Sequence, residues 1–524
     1  MSGHPPDVDV VVVGGGHNGL VAAGYLARAG LRVRVLERLG HVGGAAVSAR
    51  LFDGVDVRLS RYSYLVSLLP PRIVADLGAA VRLARRRYSS YTPNPADGGR
   101  SGLLIEAGGA NLAEAFAAVG APGDARGFAD FYRRCELVTR RLWPTLLEPL
   151  PTRAQARRRV VEGGDPQAAA AWRALVERPI GHAIAEAVGD DLARGVVATD
   201  ALIGTFARLD EPSLIQNVCL LYHLIGGDWD VPVGGMGALS AALAAAATGH
   251  GADIVTGAQV CAVDPGGDVR YRIGDDEHRV TTRFVLAGVT PTVLAGLLGE
   301  QPAPRADGAQ VKVNMVLRRL PRLRDGAVTP EQAFAGTFHV NETYTQLDAA
   351  YSRAAAGLVP EPVPCDAYCH SLSDPSILSA QLRAAGAHTM TVFGLHTPHA
   401  LFGAADPEAL RDRLTGSVLA SLNSVLAEPI QPLLLPDAQG RPCIETTTTH
   451  DLERTLRMSG GHIFHGGLAW PFADADEPLD TPARRWGVAT AHDRVLLCGS
   501  GARRGGAVSG VGGHNAAMAV LASL

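Results

Sequence analysis

Residues 14–19 read Gly-Gly-Gly-His-Asn-Gly, and Gly14, Gly16 and Gly19 are spaced to wrap a backbone around a pyrophosphate. Gly14 permits a tight turn, Gly16 lets phosphate approach the main chain, and Gly19 lets the following helix pack closely on a sheet. The phosphates then meet free N–H groups at the positive end of that helix, and His17 and Asn18 belong to the same turn. About 20 residues on, Glu37 is placed to accept from adenosine ribose hydroxyls, where an acid repels a 2′-phosphate. FAD or NAD fits this end; NADP does not. A second glycine-rich stretch, Gly499-Ser500-Gly501, Gly505-Gly506 and Gly510 to Asn515, lies at the far end of the 524-residue chain.

The first motif sits in a fitting context. The apolar run Val8 to Val13 reads as a strand, Leu20 to Ala29 as a helix stopped by Gly30, and Leu31 to Leu36 as a second strand ending at Glu37. Strand, turn, helix and acidic strand end in this order make the first half of a dinucleotide-binding fold. The segment that follows, Arg38 through Gly43, Gly44 and Ala45, resembles the extended FAD signature of the glutathione-reductase-like flavoproteins.

Beyond it the chain reads mainly as helices from Asn111 to Tyr222, at Ala110 to Ala118, Gly127 to Trp143, Pro166 to Val176 and Ile180 to Ala187. The basic run Arg153 to Arg159 reads as a solvated helix face or loop. A glycine turn at Val231 to Gly237, the helix Ala238 to Ala247, the β-run Ala252 to Val260 and the strand Phe284 to Val289 return to the nucleotide fold. Two alternating stretches, Gln310 to Leu317 and His388 to His396, predict a half-buried antiparallel sheet. The last part is again strand, glycine turn and helix.

The fold class is therefore α/β: a discontinuous Rossmann-like FAD-binding domain of the glutathione-reductase type at 1–90, 228–295 and 455–524. Inserted into it are a mainly helical substrate or lid region at 91–227 and an antiparallel or mixed-sheet substrate domain at 296–454.

A net charge of −4 gives no reason to expect nucleic acid as a partner. The seven cysteines are scattered and odd in number, as in a reduced cytosolic chain. Cys365, Cys369 and His370 lack a second pair at zinc spacing, so no metal is expected. Met1 to Asp9 is polar and does not read as a signal peptide, and Val10 to Ala29, apolar enough to imitate a membrane span, holds the nucleotide turn instead. Peripheral membrane contact stays open.

Val11 to Ser48, Val231 to Val260, Gly460 to Gly466 and Val495 to Ala517 together resemble the phytoene-desaturase-related FAD oxidoreductases. Within them the branch of pyridine nucleotide-disulfide oxidoreductase domain-containing protein 2 is most similar. The resemblance implies FAD, its pyrophosphate on Gly14, Gly16 and Gly19 and its ribose at Glu37 with Arg38 nearby. It further implies Gly43, Gly44 and Ala45 at the flavin end, Val260 at the adenine, Gly499 and Ser500 at the ribityl and phosphate groups, and Val508, Ser509 and Gly510 beside the isoalloxazine. The helix beginning near Gly512, with Gly513 in its first turn, would aim its N-terminus at the flavin N1/O2 edge, where hydride transfer leaves negative charge. The chain departs from its relatives at Arg503-Arg504, where they commonly carry His-Pro, at His514 in place of Arg, and at Ser500 in place of an acid.

What the resemblance implies for chemistry is removal of two hydrogens from an apolar or polyene-like small molecule. Oxygen, a quinone or another acceptor would reoxidise the flavin. Isomerisation or saturation of a polyene, or flavin binding without catalysis, remain alternatives. The hydride goes to FAD, and a base is needed for the proton unless the substrate cation is delocalised enough to lose it to water. His462 and His465, framed by glycines, are candidates, with backbone hydrogen bonding as the alternative role. Arg503 and Arg504 could hold a carboxylate or thioester-linked carrier, or be solvated. Lys312 is the third candidate, since flavin amine oxidases use a lysine near N5; an edge-strand lysine is the simpler reading. Trp470, Phe464, Phe472 and Leu214 to Leu224 could line an apolar tunnel or belong to the core.

Overall fold

The computed structural model describes residues 5–403 and 405–524; the first residues of the polar start lie outside it. Val8–Val13 is buried almost throughout because it is the middle of a sheet covered on both faces. Five strands run parallel in the order Val495–Leu497, Asp276–Ala287, Val8–Val13, Val33–Glu37 and Asp253–Thr256. The first half of Asp276–Ala287 leaves this sheet to pair antiparallel with Asp268–Ile273, which pairs with Ala258–Asp264.

On one face the helices His17–Arg28, Met236–Gly249 and Val511–Leu521 share a core with the strand side chains. The contact between the first and last of these needs glycine. A Cβ on Gly513 would stand 1.9 Å from the carbonyl oxygen of Asn18, and one on Gly19 would stand 2.3 Å from that of Gly14. Glycine is what lets backbone meet backbone here.

The second sheet runs Ile444–Thr447, Val311–Leu317, His388–Gly394, Cys365–Tyr368, Thr337–Val340, Tyr88–Pro93 and Gly102–Glu106. All its pairings are antiparallel except that of Thr337–Val340 with Tyr88–Pro93. This corrects the expected partition, because strands within residues 88–106 belong to this sheet and not to a helical region. It also corrects the expected half-burial. Every residue of Val311–Leu317 is buried, since Pro407–Val425 packs on one side and the chain around Ser60 on the other.

The helical layer comprises Asp124–Leu142, Arg153–Val161, Pro166–Trp172, Ile180–Ala187, Asp191–Asp200 and Ile215–Ile225 around one apolar cluster. Arg153–Val161 starts with a Thr152/Gln155 capping box and exposes Arg157 and Arg158, as a solvated helix face does. Trp172 and Phe472 are fully buried with ring centroids 5.6 Å apart in the core, so Phe472 lines no tunnel. No helix among the described residues is long and apolar enough to cross a membrane.

Candidate functional site

A cavity of about 480 Å³ opens where the two sheets and the helical layer meet. At one end are Gly14, Gly16, His17, Asn18, Gly19, Glu37 and Arg38; Val260 joins them, with Ala258 and Gln259. Gly44, Ala45, Gly499, Ser500 and Val508 follow along its wall. Gly43, Ser509, Gly510 and Gly513 are not on that wall. Gly43 donates to the Gly15 carbonyl, Ser509 Oγ accepts from the Val511 N–H, Gly510 caps the last helix at φ 71°, and Gly513 abuts Asn18. These four brace the site from behind.

The glycine turn fits an anionic dinucleotide. A Cβ on Gly16 would meet no atom within 4 Å, so the space in front of its backbone is open. No side chain caps the helix that starts at His17, which leaves its first N–H groups for a ligand. Glu37 is buried; its Oε2 accepts from Gly15 N at 2.7 Å and its Oε1 from Leu39 N at 2.8 Å. Those bonds shape the turn while the side chain still borders the cavity. Arg38 donates to the Thr455 carbonyl, tying the turn to the chain before Gly460.

The two glycine-rich stretches touch. His17 Nε2 lies 3.0 Å from the Ala507 carbonyl and Asn18 Nδ2 donates to that of Gly505 at 3.1 Å. Burial pulls the His17 ring down to about 4, so it is neutral and its Nε2 carries the hydrogen that a carbonyl requires.

Lys312 is on the wall too, and it is not at a sheet edge. Its strand lies between Ile444–Thr447 and His388–Gly394, whose pairing buries it. Nζ donates to the carbonyls of Ser60 and Tyr62, both at 2.7 Å, and stands 5.0 Å from the Tyr64 ring centroid. Burial pulls this ammonium down to about 7, with Glu445 opposing. A neutral amine has two hydrogens, both used by the carbonyls, so its lone pair is left free; the protonated form has one hydrogen to give.

Of the two candidate histidines only His465 borders the cavity. Its backbone is left-handed at φ 62° and its Nδ1 has no partner, while burial lowers the ring to about 4. His462 Nδ1 instead accepts from Phe464 N at 3.2 Å, which closes the local turn.

Neither arginine of the expected pair faces the cavity. Arg503 pairs with Glu477 at 2.8 Å and reaches the Phe472 carbonyl. Arg504 is 3% exposed and donates to the carbonyls of Thr145, Glu148 and Trp486, clamping the helical layer onto the C-terminal segment. A run of two arginines in a glycine loop reads as solvent-facing, but the glycines here fold inward.

At the far end of the cavity the stretch Leu214 to Leu224 contributes Cys219, Tyr222 and His223 to the wall, and the other residues there were not anticipated from the sequence. Tyr64, Tyr222, Tyr368 and Phe393 supply aromatic surface beside Leu65 and Leu68, and Arg86, Asp200, His223 and Asp366 supply charge. Phe464 lines it as well, but Trp470 does not. Asp366 Oδ2 accepts from the Tyr368 hydroxyl at 3.1 Å, and Oδ1 lies 2.7 Å from His339 Nδ1, which is also 2.7 Å from Glu342 Oε2. Burial opposes charge on His339, but Asp366 and Glu342 outweigh it and hold the ring protonated; burial and then Asp366 push the Glu342 carboxyl up. Two signals for these residues existed. Arg86 has the opposite parity to the exposed Arg85 and Arg87, and Asp366 is a lone acid in an apolar strand.

A parallel nucleotide-binding sheet, a second sheet and a shared cavity define a flavin-type oxidoreductase fold. Residues 12–72 match the NAD(P)-binding Rossmann-like domain model. The chain is 72% identical over 530 residues to an uncharacterised protein of Mycobacterium tuberculosis, covering 100% of this chain and 99% of that one. It is 30% identical over 574 residues to pyridine nucleotide-disulfide oxidoreductase domain-containing protein 2 of Rattus norvegicus, covering 99% and 94%. A solved putrescine oxidase variant aligns over 99% of both chains with TM-score 0.58 at 16% identity, a likeness of fold. The chain belongs to the family of pyridine nucleotide-disulfide oxidoreductase domain-containing protein 2, and 63% of it is 28% identical to a phytoene dehydrogenase of Streptomyces griseus, over 64% of that chain.

Proposed function

We propose that the protein is an FAD-dependent dehydrogenase that desaturates a C–C bond of a largely apolar small molecule. The observation that carries this reading is the single cavity joining the Gly14–Gly19 turn, the Gly499–Val508 segment and an aromatic chamber. Gly14, Gly16 and Gly19 would hold the pyrophosphate, Glu37 the ribose, Val260 the adenine, and Gly44, Ala45, Ser500 and Val508 the flavin end. When bound, FAD supplies a two-electron hydride acceptor.

In this reading the chain itself takes the proton from the neighbouring carbon. Lys312 is the base: the residue borders the chamber, its neutral amine keeps a lone pair, and its basicity is tuned to near neutrality by burial. Tyr64, Phe393 and Leu68 exclude water around the substrate.

The test begins with the purified protein. It should be yellow and release FAD on denaturation. Anaerobic mixing with fractionated metabolites should then bleach the flavin and yield a product lighter by two hydrogens. A flavin-free protein that cannot be reconstituted with FAD overturns the reading, and a product of unchanged mass replaces it with isomerisation.

A further inference from the structure

At the aromatic end of the cavity stands a guanidinium, Arg86, without an anionic partner. Arg86 Nε donates to the Trp229 carbonyl at 2.8 Å and Nη1 to the Thr337 hydroxyl at 3.0 Å, both neutral acceptors. Nη2 makes no hydrogen bond, and no carboxylate oxygen among the described residues comes within 4.0 Å of the guanidinium. Its remaining surface faces the cavity that it lines.

Asp200 and Asp366, the acids that share the cavity wall with it, already have partners. Asp200 Oδ1 lies 3.1 Å from His223 Nε2 and Oδ2 accepts from the Tyr132 hydroxyl at 3.3 Å. Burial pushes the Asp200 carboxyl up, toward its neutral form. Asp366 is matched by protonated His339 and the Tyr368 hydroxyl. Asp230, next to Trp229 in the chain, stays beyond 4.0 Å and does not line the cavity, and burial raises its carboxyl. A guanidinium taken out of water without a counter-ion is unfavourable unless a ligand supplies one.

We propose that Arg86 is the anchor for a carboxylate on the substrate, so that the chamber takes a carboxylic acid with an apolar body. The planar guanidinium offers Nη2, and Nη1 with its second hydrogen, as a fork for two carboxylate oxygens. Tyr64, Tyr222 and Phe393 then flank the apolar body. This role moves to Arg86 from Arg503 and Arg504, whose Nη groups are engaged elsewhere and which do not line the cavity. The inference rests on the dehydrogenase reading for its meaning, but not for its test.

The test is calorimetric titration of the protein as purified with decanoate, decanamide and decylamine, in the parent and in Arg86→Met and Arg86→Lys. Decanoate should bind about tenfold or more tighter than decanamide, Arg86→Met should abolish that preference, and Arg86→Lys should keep part of it. Flavin content should match the parent in both variants. Equal binding of acid and amide by the parent overturns the proposal even if the variants fail to fold. Tighter binding of decylamine does so as well, since it would assign the chamber to Asp200 and Asp366. Heats of binding are read with or without flavin, so absence of FAD defeats the dehydrogenase reading alone.

Discussion

His17 Nε2 lies 3.0 Å from the carbonyl oxygen of Ala507, a hydrogen bond spanning 490 positions of sequence. With the Asn18 bond to Gly505 it makes the first glycine turn and the C-terminal glycine segment two walls of one cleft. Neither wall is complete alone, and residues of both border the same cavity.

Two glycine substitutions should separate binding from folding. Gly16→Ala adds a methyl that meets no atom, at a φ of −68° suited to any residue, so stability should change by no more than about 0.5 kcal/mol while bound flavin is lost. Gly513→Ala drives a Cβ into the Asn18 carbonyl and should cost about 1–3 kcal/mol. Denaturant melts with flavin-to-protein ratios read both effects.

Lys312→Met should slow flavin reduction by about 10²–10⁴-fold near neutrality and remove the limb of the pH profile that rises through about 7. Its stability signature has a definite sign. The folded amine, at about 7, lies below its ordinary value, so between these the unfolded chain binds more protons and the parent gains stability as pH rises. Lys312→Met lacks that gain, so melts compared from pH 7 to 9 should turn against the variant by up to about 1.4 kcal/mol per pH unit.

His339→Gln removes the cation between Glu342 and Asp366 and leaves two buried carboxyls without it. The loss should be about 3–5 kcal/mol at neutral pH. Because the folded ring is raised, its contribution is complete below the ordinary histidine value and fades as pH climbs through the raised one. The deficit of the variant should accordingly shrink in alkaline melts.

Arg504→Met strips donors from the Thr145, Glu148 and Trp486 carbonyls and should cost about 3 kcal/mol or more. Arg504 does not border the cavity, so decanoate affinity of the folded fraction should equal that of the parent. A selective loss of decanoate binding would return the anchor to this arginine.

Local rules carried the reading of the first nucleotide-binding unit. A strand, a glycine turn and a helix are determined within some thirty consecutive residues, and the backbone geometry that binds a pyrophosphate is part of that same local object. The sequence by itself therefore determined the nucleotide turn at Gly14 to Gly19 and the acid at Glu37. The family followed from those motifs with their partners at 231–260 and 495–517. Burial and partnership are not local. Lys312 became interior through strands 76 and 132 positions away, at His388 and Ile444, which cover its edges. Arg504 was drawn inward by carbonyls more than 350 positions upstream. The tertiary structure alone decided which charged groups face the cavity, because a side chain's solvation depends on what distant segments pack around it. By that measure Arg86 stands without a counter-ion while Asp200 and Asp366 do not.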